Sequence, residues 1–149
     1  MRVLIQRVAS ANVVVNETVT GAIEQGLLLL VGITHADSEA TEDRIADKVV
    51  KLRIFGDEQG LMNKSVLDVG GGLLAVSQFT LYADAKKGNR PSYTDAARPE
   101  QASPAFDRFV AKLAARIRKP VATGVFGVDM KVSLINDGPV TIWLDSETL

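Results

Sequence analysis

Apolar residues gather in short runs along the chain, and the spacing within the runs switches between two periods. Arg2–Ala9, rich in Val, Leu and Ile, predicts a strand. Asn12–Val15 predicts a second, and Thr18–Ile23 its hairpin partner across a turn at Asn16-Glu17. Leu27–Ile33 is continuously apolar over strand length, the pattern of a strand buried on both faces. The period then lengthens. Asp37 or Ser38 suits a helix N-cap, Glu39, Glu42 and Asp43 suit the first turns, and Ile45, Val49 and Leu52 form one apolar stripe. Gly56 and Gly60 mark a loop, and Gly70-Gly71-Gly72 a tight turn before a second buried strand, Leu73–Tyr82.

Ala83–Gln101 is a long polar stretch with Pro91 and Pro99, and irregular segments of that length in compact domains are usually functional or disordered. Ser103 and Pro104 predict a helix start, Phe106, Val110, Leu113 and Ile117 its buried stripe, and Pro120 its end. Val121–Phe126, Met130–Ile135 and Val140–Leu144 read as three closing strands, with Asn136-Asp137-Gly138-Pro139 as the turn between the last two. Hairpins at both ends predict a mixed α/β fold: largely antiparallel sheet, two main helices, one domain over residues 1–149.

Composition narrows the chemistry. The 149 residues contain no Cys and one His, so a thiolate nucleophile, a Cys-based zinc site and a multi-histidine metal site are excluded. A net charge of −1 argues against bulk affinity for nucleic acid but allows a local basic patch. The longest apolar run falls far short of the ~20 residues that span a bilayer, and the first ten residues do not form a signal peptide. A cytoplasmic protein without a membrane partner is the expectation.

Three segments could carry function. Ser77-Gln78-Phe79-Thr80 interrupts an apolar strand with polar side chains. It is either a strand end lining a pocket or ordinary alternation with Gln78 and Thr80 facing solvent. Lys86, Lys87 and Arg90 lie close together without an acid between them and with Tyr93 nearby, a small phosphate-facing surface or a solvated loop. Gly138-Pro139 reads locally as a turn with a trans bond. His35, in a loop after a buried strand, is either a general base or a surface histidine beside a helix N-cap, and the second reading is favoured.

Taken together, these segments resemble the D-aminoacyl-tRNA deacylase family, first known as D-tyrosyl-tRNA deacylases. The Ser-Gln-Phe-Thr motif of that family stands at Ser77-Gln78-Phe79-Thr80 and its Gly-Pro-Val-Thr motif at Gly138-Pro139-Val140-Thr141. The opening MRVLIQRV, the loop KKGNRPSY and the overall length are similar too. The resemblance implies a homodimeric hydrolase that needs no cofactor and cleaves the ester joining a D-amino acid, or mischarged glycine, to the terminal adenosine of tRNA. It implies that Gly138-Pro139, with a cis bond, reaches from one subunit into the pocket around Ser77–Thr80 of the other. The carbonyls there would accept from the α-ammonium and clash with an L side chain. Either Thr80 is a nucleophile, or backbone N–H groups near Phe79 and Thr80 form an oxyanion hole while water attacks with help from the 2′-hydroxyl of the tRNA. The second route fits the single-histidine composition better. Lys86, Lys87 and Arg90 would meet tRNA phosphates, with Arg116, Arg118 and Lys119 as the other candidate group. A related deacylase for L-alanine on a wrong tRNA, and a non-catalytic dimeric RNA-binding module, are the competing readings.

Overall fold

The computed structural model describes all residues, 1–149. Eight strands and two helices follow in the order β1 (Arg2–Val15), β2 (Thr18–Ile23), β3 (Gly26–Gly32), α1 (Glu39–Lys51), β4 (Phe55–Gly56), β5 (Met62–Lys64), β6 (Gly72–Ser77), α2 (Pro99–Ile117), β7 (Ala122–Thr123) and β8 (Lys131–Asp145). One four-residue 3₁₀ turn, Phe79–Tyr82, follows β6.

β1 is a single strand of 14 residues where two were expected. Its length lets it pair with β3 through Arg2–Val8, with β2 through Ala11–Val15, and with β8 from end to end. These long ladders are antiparallel, as expected. β6 is the exception, running parallel to both β3 and β7. Thr20 Oγ1 donates to Thr123 O across 3.3 Å, bringing β2 against β7 so that the sheet curls nearly closed. β4 and β5 make a separate small hairpin.

The two apolar runs are buried on both faces for a structural reason. Leu27, Leu29, Leu73 and Ala75 join Ile45, Val49, Phe109 and Leu113 beneath the helices, while Leu28, Leu74 and Val76 meet Val8 and Val13 inside the curl. Ser38 caps α1 in a reciprocal box with Thr41. A ladder of ion pairs ties the helices, including Arg108 to Glu42 at 3.0 Å, Lys112 to Asp43 at 3.0 Å and Arg116 to Asp47 at 2.7 Å. Residue numbers rise together along this ladder, so α1 and α2 run the same way. Glu42 is thereby fully buried rather than solvated.

Three further expectations are corrected. α2 begins at Pro99, not at Ser103-Pro104, because Pro99 fits the first helical position equally well. Pro104 falls in the second turn, where its missing N–H removes a single helical bond. The segment Val121–Phe126 supplies strand only at Ala122–Thr123. Asn136–Pro139 does not reverse the chain. The residues before and after it pair with the same neighbour, β1, in the same direction, so β8 bulges outward instead. Between Gln6–Thr141 and Val8–Asn136, β1 advances two residues and β8 five, which leaves Asp137–Val140 opposite Arg7 alone. The Gly138-Pro139 bond is cis.

Candidate functional site

The polar interruption after Val76 is a strand end. β6 stops at Ser77, which pairs with Val31, and Gln78 N–H still donates to Val31 O at 2.7 Å. Gln78 then leaves the strand conformation (φ −144°, ψ 76°) and the chain winds into the 3₁₀ turn. The expected strand through Tyr82 is therefore five residues too long, and Thr80 belongs to no alternating pattern. The N–H groups of Phe79 and Thr80 open the turn and have no acceptor within it. Gln78 Nε2 donates to Thr80 Oγ1, which fixes the hydroxyl beside its own backbone.

This strand end forms one wall of a cavity of about 660 Å³. Ser77, Gln78 and Phe79 face it from one side, the start of α2 (Arg98, Pro99, Ala102) from another, and Phe126–Met130 from a third. Phe79 and Tyr93 meet edge-on at its rim, with ring centroids 5.1 Å apart. Only Arg98 and Asp129 carry charge among the lining residues, and Asp129 is paired to Lys131 at 2.9 Å. The cavity therefore holds no imidazole and no buried carboxylate. Phe79 lines it, while Thr80, the next residue of the turn, does not. His35 lies outside it: its Nε2 sits 2.8 Å from Thr94 O, and Gln101 Nε2 donates to its carbonyl. The surface reading of His35 holds, with the addition that it helps tie the long loop to the start of α2.

The bulge on β8 is held at three points. Arg7 Nε donates to Asp137 O at 2.9 Å and Nη1 to Ile54 O at 2.7 Å. Asn136 Oδ1 accepts from Val140 N–H at 2.9 Å, and Asn136 Nδ2 donates to Thr141 Oγ1 at 3.1 Å. Arg7 thus braces the Gly-Pro element. Asn136 had a visible signal, its place in a turn-like sequence, but its partners lie on the far side of the bulge.

Within one chain the two motifs stay apart. The bulge faces Arg7, which pairs with Leu27, whereas Ser77 pairs with Val31, four residues further along β3. β1 and β3 lie between β8 and β6, so strand spacings of about 3.3 Å per residue and about 4.8 Å per strand separate them by roughly 20 Å along the sheet.

The basic loop stands clear of the body. An antiparallel bridge between Asp84 and Ser92 closes it, Lys86 N–H donates to Asp84 Oδ1, and Lys86, Lys87 and Arg90 are exposed and in no ion pair. Arg116, by contrast, is committed to Asp43 and Asp47.

A family model described as D-Tyr-tRNA(Tyr) deacylase matches residues 4–145. The chain belongs to that family. A protein of Dechloromonas aromatica named D-aminoacyl-tRNA deacylase is 59% identical over 147 residues, which cover 99% of this chain and 98% of that protein. One of the same name from Chromobacterium violaceum is 60% identical over 146 residues, covering 98% of this chain and 97% of that protein. The solved structure of a protein called c-Myc DNA Unwinding Element Binding Protein superposes with a TM-score of 0.92 at 38% identity, covering 97% and 98% of the two chains. Both motifs that resemble the family, the 3₁₀ turn and the β8 bulge, lie inside the matched residues.

One further group of contacts borders the turn. Tyr82, at its last position, is buried, and burial pushes its hydroxyl well above the ordinary tyrosine range. Arg2 lies over the Tyr82 ring, 4.4 Å from its centroid, and pairs with Asp145 at 3.0 Å. Burial raises the Asp145 carboxyl, but the Glu147 N–H and the Arg2 guanidinium together hold it below the ordinary carboxylate value. No helix of the protein is long and apolar enough to cross a membrane.

Proposed function

We propose that the protein is a D-aminoacyl-tRNA deacylase that works as a cytoplasmic homodimer. It hydrolyses the ester between a D-amino acid, or mischarged glycine, and the terminal adenosine of tRNA. The observation that carries this reading is the pair of unengaged N–H groups at Phe79 and Thr80, in a turn that follows a buried strand and whose first residue, Phe79, lines a cavity, in a member of this family.

The ester carbonyl sits against those N–H groups. As water attacks the carbonyl carbon, charge develops on its oxygen, and two fixed donors stabilise it without reorganising. The proton of the attacking water passes, by way of the vicinal 2′-hydroxyl of the substrate, to the departing 3′-oxygen. The products are a free D-amino acid and uncharged tRNA. Thr80 contributes its N–H; its hydroxyl is already engaged by Gln78 and has no base beside it.

Chirality is read by the second copy. Its Gly138 and Pro139 carbonyls accept from the α-ammonium, and an L side chain would be driven against them. The separation of the two motifs within one chain supports a site built from two. So does β8, which pairs only with β1 and leaves Leu134, Ile135 and Trp143 exposed along an open strand. Lys86, Lys87 and Arg90 meet phosphates and position the acceptor end.

The deciding assay measures deacylation of D-Tyr-tRNA and L-Tyr-tRNA by the purified protein. Rapid loss of the D ester, with the L ester decaying at its uncatalysed rate, is the expected result. Hydrolysis of both would contradict chiral reading, and binding without hydrolysis would leave an RNA-binding module.

A further inference from the structure

We infer that Arg2, which lies in neither motif and does not line the cavity, is a positioning residue for the Thr80 N–H and polarises it through the backbone of the 3₁₀ turn. This rests on the oxyanion role of Phe79 and Thr80 argued above.

A helical turn leaves carbonyl groups unmatched at its C-terminal end. Arg2 Nη1 donates to one of them, Leu81 O, at 2.9 Å. The side chain, 30% exposed, is held there by three further contacts. Its Nε donates to Asp145 Oδ2 at 3.0 Å, the Tyr82 ring lies beneath it at 4.4 Å, and the Trp143 ring is 5.6 Å away. A planar fork between two rings and a carboxylate has little freedom, so the Leu81 carbonyl meets a fixed charged donor.

The connectivity of a 3₁₀ turn carries that charge to one N–H and not to the other. The carbonyl of Leu81 and the N–H of Tyr82 belong to the same peptide unit. In the i to i+3 pattern of this turn, Tyr82 N–H donates to Phe79 O. The carbonyl of Phe79 shares its peptide unit with the N–H of Thr80. The series therefore runs from the Arg2 guanidinium, through two peptide units, to the Thr80 N–H. Each hydrogen bond polarises the next, strengthening it by roughly 10–30%. The parallel series behind Phe79 N–H is different. It passes through Leu81 N–H to Gln78 O (3.2 Å) and begins at Ala83 N–H to Thr80 O (3.0 Å), with no charge behind it. Thr80 is thus the stronger of the two donors. The same contact has a mechanical effect: the turn is pinned at its front by Gln78 N–H to Val31 O and at its rear by Arg2, so the two N–H groups cannot swing.

The test compares Arg2→Gln, Arg2→Lys and Asp145→Asn with the unaltered protein. Readouts are kcat and KM on D-Tyr-tRNA and the amide resonances of Phe79 and Thr80. Asp145→Asn loosens Arg2 but keeps its charge and the Leu81 contact, so it should fall between the unaltered protein and Arg2→Gln. Arg2→Gln should lower kcat by about tenfold, less than the loss of an oxyanion donor itself, with KM within about twofold. The Thr80 amide proton should move upfield while Phe79 moves less. Arg2→Lys, which keeps the charge, should recover most of kcat and of the shift. Asp145→Asn should lower kcat by only about threefold, less than Arg2→Gln. The proposal is overturned if folded Arg2→Gln keeps its kcat, if the loss appears in KM, or if Asp145→Asn loses as much. The amide shift reports the relay even without turnover. An inactive parent protein would sink the oxyanion reading, while an unmoved Thr80 resonance would sink the Arg2 proposal.

Discussion

The 3₁₀ turn after β6 and the bulge in β8 are built in opposite ways. The turn ends a strand buried on both faces, and it presents N–H donors with no acceptor of their own. The bulge interrupts an exposed strand, and it takes Asp137–Val140 out of the ladder. The donor element is supported from below, by Val31 O and by Arg2. The acceptor element is clamped at its base, by Arg7 and by Asn136. An aminoacyl ester needs donors at its carbonyl oxygen and acceptors at its ammonium. The two elements match the two ends of that group, yet in one chain they lie roughly 20 Å apart on the sheet. Under the proposed function, neither is a site by itself.

The largest effect is expected from removing a donor. Phe79→Pro deletes the N–H at the first position of the turn, where proline is sterically acceptable. Phe79→Ala deletes only the ring. Phe79→Pro should lower kcat by about 10²-fold or more relative to Phe79→Ala, the usual consequence of losing one oxyanion donor. Equal activities in single-turnover kinetics would show that the N–H is not used.

Loosening the acceptor side should cost less rate and more selectivity. Arg7→Ala frees Asp137 O and Ile54 O at once. Activity on D-Tyr-tRNA should fall by about tenfold, on the scale of losing one or two charged hydrogen bonds, and the ratio of D to L hydrolysis should fall with it. A rate loss at constant D/L ratio would mean that the bulge does not read chirality.

How much of this was visible in the chain depends on how far each residue's partners lie. The stripe Ile45, Val49 and the run Leu27–Ile33 were legible because a helix face and a doubly buried strand are local patterns. Ser77–Thr80 was legible as a polar break, but the 3₁₀ turn was not, since Phe79, Leu81 and Tyr82 continue an apolar texture through it. Asn136–Pro139 has the local chemistry of a turn. That both its flanks pair with β1 is a fact of tertiary structure, so the bulge could not be read from those residues. Arg2, Arg7 and Glu42 give no local signal, because Leu81, Asp137 and Arg108 lie 79, 130 and 66 residues away in sequence.

Two smaller effects sharpen the contrast by leaving both elements intact. Thr80→Ala keeps the N–H and loses only a hydroxyl engaged by Gln78, so it should retain activity within about tenfold. A drop of about 10⁴-fold in a folded variant, or a trapped acyl-enzyme, would instead make Thr80 a nucleophile. Lys86→Ala with Lys87→Ala should weaken tRNA binding and lower the slope of log affinity against log salt by about 0.7–0.9 for each phosphate no longer neutralised. The D/L ratio should not change. An unaltered affinity and slope would leave the loop a solvated bystander.

The most direct test of a site shared between two chains is complementation. Phe79→Pro damages the donor turn. Gly138→Val damages the bulge, because a Cβ there would lie 2.9 Å from Arg7 Nη2 in a backbone conformation (φ +135°) that side chains resist. Each variant alone should be nearly inactive. Unfolded together and refolded as a random mixture, they should recover about a quarter of the unaltered activity, since half of the two-fold dimers would hold one site with both halves sound. A mixture as inactive as its parents, with mixed dimers demonstrated by mass, would place the site within a single chain and contradict this account.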